Sequence, residues 1–222
     1  MFGKRQEQDL DKAQQVMIEN QLKARGIKDE RLLQIMGQLP RHLFVPPDQH
    51  NLAYSDKPLP IGRQQTISQP YIVAHMTELL NLPADGDATV LEVGTGSGYQ
   101  AAILSQLVKQ VYTIERIPSL AENARQVFEQ LEITNIKQTV TDGGYGWSAH
   151  APFDRIIVTA GAPSVPPPLI DQLADEGILV APIGGWSNQQ LVLLTRQGES
   201  IQHKNLTSVL FVPLLGEHGW QE

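Results

Sequence analysis

Cysteine is absent from the 222 residues, which excludes disulfides, thiolate metal ligands and a cysteine nucleophile. No apolar run approaches the ~20 residues of a bilayer span. The basic pair Lys4-Arg5 is followed by polar Gln6-Glu7-Gln8-Asp9, so no export signal is read. Excess positive charge is missing too: 17 Lys and Arg stand against 24 Asp and Glu, a net charge of −7 that offers phosphate backbones no general attraction. The six histidines are scattered, and no Ser/His/Asp triad or metal-ligand cluster stands out. These absences predict a cytoplasmic protein, taken as a monomer, with no metal, no membrane partner and no nucleic-acid partner.

What is present centres on Val90-Leu91-Glu92-Val93-Gly94-Thr95-Gly96-Ser97-Gly98-Tyr99, an apolar strand running into a glycine-dense turn and a helix start. Such a turn lets backbone approach a ligand closely. A second apolar strand, Val111-Tyr112-Thr113-Ile114, ends at Glu115, where a carboxylate can accept from ribose hydroxyls. The pair reads as a nucleoside-cofactor site. The third glycine falls one residue early for G-x-G-x-x-G, which disfavours a dinucleotide, and the Lys-Ser/Thr ending of a P-loop is lacking, which disfavours ATP and GTP.

Before the glycine turn, Leu10, Ala13, Val16, Met17 and Leu22 follow helical spacing with Gly26 as a stop, and a second helix is expected over 30–39, ended by Pro40. Prolines 46, 47, 58 and 60 predict an ordered irregular segment over 40–67 with little regular structure, and ordered segments of that length usually carry function. A third helix is expected over 71–82, entered through Ser68-Gln69-Pro70. From there strands at 89–93, 110–114, 136–140 and 153–158 alternate with helices at 99–108 and 118–131, the pattern of a parallel sheet covered on both faces. Leu120, Ala121, Ala124, Val127, Phe128 and Leu131 form one core stripe. Beyond Gly177, apolar runs around 178–180 and 190–195 flank Gly184-Gly185 and predict an antiparallel edge. The expected fold is a doubly wound, mostly parallel α/β sheet. The chain is read as one domain over 1–222 with residues 1–52 as an N-terminal helical extension.

Several separated blocks carry a closer likeness, in order: Asp56 to Gly62, Gln65-Thr66-Ile67-Ser68-Gln69-Pro70, Glu92 to Gln100, Ile114-Glu115-Arg116, Asp142-Gly143 and Phe153 to Ala160. The glycine block resembles the first motif of class I methyltransferases, and the whole resembles the protein-L-isoaspartate (D-aspartate) O-methyltransferase family. The Thr66 to Pro70 segment is the most specific to it. Gln64 and Thr141 depart from the family's usual pattern, each standing where glycine is common.

The resemblance implies S-adenosyl-L-methionine as cofactor and the free α-carboxylate of L-isoaspartyl residues in damaged proteins and peptides as methyl acceptor, a repair activity. It assigns Ser68 to the substrate carboxylate as catalytic residue, and Thr66, Ile67, Val212 and Pro213 to substrate binding. Gly94 and Gly96 fall to the methionine side, Glu92 to the same turn or the sulfonium, Glu115 to the ribose, and Asp142 with Gly143 to the adenine edge. On chemistry alone Ser68 is also a helix N-cap candidate and Asp142-Gly143 a turn former. Two other functions compete. A base methyltransferase would bring a basic face and an Asn/Asp-Pro-Pro-aromatic motif, which Val165-Pro166-Pro167-Pro168 does not supply. A noncatalytic module would bind the nucleoside without turnover.

Overall fold

A computed structural model describes the backbone of residues 2–221 and the side chains of residues 8–221. Helix α1 (Phe2–Val16) continues through a π turn (Met17–Leu22) and a 3-10 turn (Lys23–Arg25) and stops where Gly26 turns left-handed at φ 93°. Helix α2 (Glu30–Gln38) is started by Asp29, whose carboxylate accepts from the amides of Arg31 and Leu32. Two short 3-10 turns, Arg41–Phe44 and Pro47–Leu52, lead into an antiparallel hairpin of β1 (Leu59–Gly62) and β2 (Gln65–Ile67). The 40–67 segment is thus more regular than its prolines suggested. Its hairpin turns through Arg63 and Gln64, both at positive φ, a type I′ turn built without glycine at either central position.

Helix α3 (Pro70–Leu79) precedes the alternating half: β3 (Thr89–Val93), α4 (Tyr99–Ser105), β4 (Gln110–Glu115), α5 (Pro118–Gln130), β5 (Ile136–Val140), β6 (Phe153–Val158), α6 (Pro167–Asp171), β7 (Leu173–Gly185), β8 (Asn188–Gln197) and β9 (Ser200–Val209). The main sheet has seven strands in the order β5-β4-β3-β6-β7-β8-β9. Strands β5 through β7 run parallel, and β8 and β9 close the edge antiparallel. The order reverses at β3, whose neighbours are β4 and β6, and such a switch opens a crevice at the carboxyl ends of the strands. Asp154 ties the start of β6 to that of β3, accepting from the Thr89 amide at 2.7 Å and hydroxyl at 2.9 Å.

Leu120, Ala121, Ala124 and Phe128 of the expected stripe are buried, with Val127 and Leu131 packed against the same cluster. The N-terminal residues Met17, Leu22, Leu32 and Met36 share that cluster with Val90, Val111 and Ile157 of the sheet, so the extension is built into the core. The antiparallel edge is longer than its apolar residues indicated. Its first turn falls at Trp186-Ser187, beyond Gly184-Gly185, and β9, with mostly exposed side chains, offers no apolar alternation to read. Among the described residues no helix is long and apolar enough to cross a membrane, and no group of three or more His, Cys, Asp or Glu could hold a metal ion.

Candidate active site

At the end of β3 the backbone breaks away from the sheet, the amides of Gly94 and Thr95 both donating to the Ile114 carbonyl. Gly94 sits at φ 102°, and a Cβ there would lie 2.5 Å from the Thr159 hydroxyl oxygen, which donates to the carbonyls of Val93 and Gly94. Gly98, at φ 87°, lets α4 start against α5, since a Cβ there would lie 2.7 Å from the Phe128 ring. The third glycine therefore serves packing, while the first two shape the cavity floor. Ile61 of the hairpin lies over Gly96, covering the turn from above.

Glu115 ends β4 beside this turn. One of its carboxylate oxygens accepts from the Gly96 amide at 2.7 Å, and the other accepts from the amides of Arg116 and Ile117 at 2.8 and 2.9 Å. The carboxylate that is expected to meet a ribose also organises three backbone donors, leaving part of its acceptor capacity for a ligand.

Glu92 is fully buried at the back of the same cavity. Its Oε2 accepts from the Thr113 hydroxyl at 2.5 Å, and Thr113 stands 2.6 Å from the Thr95 hydroxyl. When Thr113 spends its single proton on Glu92, Thr95 must be the donor to Thr113. The other oxygen, Oε1, is buried without a partner. Burial pushes the Glu92 pKa from 4.5 to about 8, with the Thr113 bond opposing the rise and the Glu115 charge adding to it. With that pKa the carboxyl keeps its proton at neutral pH without a ligand, and a cationic ligand end brought to this wall would favour the carboxylate. Two carboxyl groups beside an open glycine turn fit a nucleoside carrying positive charge at its far end.

The cavity is lined by Thr66, Ile67, Ser68, Glu92, Gly94, Gly96, Glu115, Gly143, Val212 and Pro213, so ten of the eleven residues singled out in the sequence converge on it. The exception is Asp142. Its carboxylate faces the C-terminal segment, accepting from Gly144 N at 2.8 Å and Glu217 N at 2.9 Å. Gly143 alone of that pair reaches the cavity.

Ser68 does not cap α3: the N-cap is Gln69, which makes no side-chain capping bond, and Pro70 sits at the first helical position. Ser68 instead lines two adjoining spaces, the cavity over the glycine turn and a second one bounded by Pro58, Gln69, Ile72 and residues 208–212. Thr66, Thr159, Phe211 and Val212 border both. The far wall is hung on Gly161, whose amide donates to the Val212 carbonyl at 2.8 Å and whose carbonyl accepts from Leu214 N at 2.7 Å. Buried Gln189 holds the same wall by pairing with both backbone groups of Phe211.

Thr95, Thr113, Thr159 and Gln189 were missed by sequence reasoning. Thr95 and Thr159 have a positional signal, one inside the glycine turn and one directly after the strand 153–158; Thr113 and Gln189 act through contacts made by folding.

Comparison with known proteins agrees with this geometry. A family model described as protein-L-isoaspartate (D-aspartate) O-methyltransferase matches residues 12–219. A protein-L-isoaspartate O-methyltransferase of Desulfosudis oleivorans is 54% identical over 206 residues, covering 93% of this chain and 92% of that one. A solved protein-L-isoaspartate O-methyltransferase superposes with a TM-score of 0.83 at 28% identity, covering 93% of this chain and 67% of that one. A Plasmodium falciparum structure described as such an enzyme in complex with S-adenosyl-L-homocysteine superposes at 0.79 and 28% identity, covering 91% and 98%.

Proposed function

Because the chain belongs to the protein-L-isoaspartate (D-aspartate) O-methyltransferase family, we infer that it methylates the free α-carboxylate of L-isoaspartyl residues in damaged proteins and peptides. The observation that carries this reading is the place of Ser68 where two adjoining cavities meet, one floored by the glycine turn and one bounded by Pro58, Gln69, Ile72 and residues 208–212. A methyl donor held in the first would face an acceptor entering through the second.

S-adenosylmethionine supplies an electrophilic methyl group on a sulfonium sulfur. Its fit rests on the glycine turn, on Glu115 at the ribose position and on Glu92, whose unpartnered oxygen lies where a cationic ligand end would be welcome. Gly143 borders the adenine end, and Asp142 acts there by shaping the turn behind it. The acceptor carboxylate has an ordinary pKa near ~3.5 and is ionised at neutral pH, so no general base is required. Ser68 donates its hydroxyl to one carboxylate oxygen and turns the other toward the methyl group. Thr66, Ile67, Val212 and Pro213 wall the site and exclude water. Opposite charges combine to a neutral ester and a thioether, so a dry pocket favours the transition state, and in-line placement supplies further rate. The neighbouring backbone amide nitrogen then attacks the ester carbonyl, methanol leaves as the succinimide closes, and water can reopen the ring as normal aspartate.

On this reading the whole of 1–222 acts as one methyltransferase domain, residues 1–52 being a helical extension that shares its core. Its setting is the cytoplasm, its partners are isoaspartyl proteins and peptides rather than nucleic acid or membrane, and it works as a monomer. Radiolabelled methyl transfer to one peptide in isoaspartyl and aspartyl forms tests the function: strong preference for the isoaspartyl form is expected, and equal use would refute repair. Ser68→Ala is expected to lose about tenfold to a hundredfold in kcat/KM with cofactor affinity nearly unchanged. Normal turnover by that variant would remove Ser68 from the mechanism.

A further inference from the structure

Arg41 lies outside the cavity lining, yet its side chain is completely buried behind it. Its Nε donates to the Ala53 carbonyl at 2.7 Å and its Nη2 to the Ser68 carbonyl at 2.7 Å. The guanidinium carbon sits 4.6 Å from the centre of the Tyr99 ring, and Phe44 meets the same ring in a T-shaped contact with centroids 5.3 Å apart. Tyr99 is the first residue of α4, directly after the glycine turn, and lines the cavity. One fixed fork therefore touches the backbone of Ser68 and the ring that follows the cofactor turn. A buried cation is expensive, and here its partners are two backbone carbonyls and the ring and hydroxyl of Tyr99 beside it. A Leu or Met would fill such a place more cheaply if packing were the only requirement.

We propose that Arg41 is a positioning residue for methyl transfer: it holds the Ser68 backbone in register with the cofactor turn, so that substrate carboxylate and methyl donor meet in line. The proposal rests on the reading of Ser68 given above. Arg41 touches neither reactant, and its effect comes through placement. A displacement of about 1 Å can cost on the order of 100-fold in rate. A lysine keeps the charge but reaches one carbonyl where the planar fork reaches two.

The test compares Arg41→Met, Arg41→Lys, Ser68→Ala and Leu32→Ala, the last a core truncation in α2 that serves as a stability control. All are assayed on the isoaspartyl peptide at a temperature where circular dichroism shows each folded. The affinity of S-adenosylhomocysteine is measured by calorimetry. Arg41→Met is expected to lose on the order of 100-fold in kcat/KM, through both a lower kcat and a higher peptide KM, while S-adenosylhomocysteine affinity changes by less than about twofold. Arg41→Lys is expected between that variant and wild type, and Leu32→Ala near wild type per folded molecule.

Equal losses in Arg41→Met and Leu32→Ala would overturn the proposal, as would a parallel loss of S-adenosylhomocysteine affinity or wild-type kinetics in Arg41→Met. Failure of both Arg41 variants to fold would make the residue a folding element and sink the idea equally. Normal turnover by Ser68→Ala would instead refute the underlying reading of Ser68, so the two failures are told apart.

Discussion

Glu92→Gln should change how stability depends on pH. The unfolded chain leaves this carboxyl near its ordinary 4.5, whereas burial in the folded protein pushes it up to about 8. Between those values the folded state holds a proton that the unfolded state has lost, so this group's contribution makes stability fall as pH rises through the window. With about 1.36 kcal/mol per pH unit, the loss accumulates to roughly 2–3 kcal/mol between pH 5 and pH 7. Glutamine has nearly the same shape, can accept the Thr113 bond through its amide oxygen, and does not titrate. Its NH2 group would replace the unpartnered Oε1, a cost that is the same at both pH values. Urea unfolding of wild type and Glu92→Gln without cofactor, at pH 5 and pH 7, isolates the effect, because every other titrating group cancels in the difference. The stability of the variant relative to wild type should rise by roughly 2–3 kcal/mol over that interval. A difference that stays constant within about 0.5 kcal/mol would show that Glu92 ionises freely in the empty cavity, and the argument from burial would fail.

Two further outcomes follow from the same geometry. Glu115→Ala removes the acceptor of three backbone amides, so it should lower stability by roughly 2–4 kcal/mol as well as weaken S-adenosylmethionine binding by roughly 1.5–3 kcal/mol. A melting curve and calorimetry check the two parts, and an unchanged melting point would contradict the role of the carboxylate in the turn. Gln64→Gly should stabilise the hairpin by about 0.5–1 kcal/mol, since a left-handed non-glycine residue carries a penalty of that order beyond the glycine entropy cost. A lower Tm than wild type would show that Gln64 makes a contact outweighing its strain.

Much of this protein is written locally. Strands β3, β5 and β6 have the bounds expected of them, marked in β3 and at the end of β6 by buried apolar residues and in the partly exposed edge strand β5 only by its β-branched Ile136, Thr139 and Val140. The glycine turn and Glu115 are legible for a related reason: close backbone approach and a carboxylate at a strand end are properties of the residues themselves. Gln64 shows where legibility stops. Its departure from glycine is visible in the sequence, but only the hairpin register reveals the left-handed turn position that makes glycine favourable there. Thr141, the other departure, needs no such conformation.

The sequence by itself determined the parallel sheet and the nucleoside-binding turn, because short-range periodicity and backbone freedom specify them, while the wider set of site residues was legible only through the resemblance of its motifs to a known family. Tertiary structure alone decided what each of those residues does once assembled. It turned Asp142 toward the C-terminal segment, freed Ser68 from capping α3, and brought Thr95, Thr113 and Glu92 into one buried chain of hydroxyls and carboxyl. It also set Arg41 behind a serine 27 positions away. Such pairings join residues far apart in the chain, and their energies depend on burial and donor geometry that exist only after the chain has closed around them.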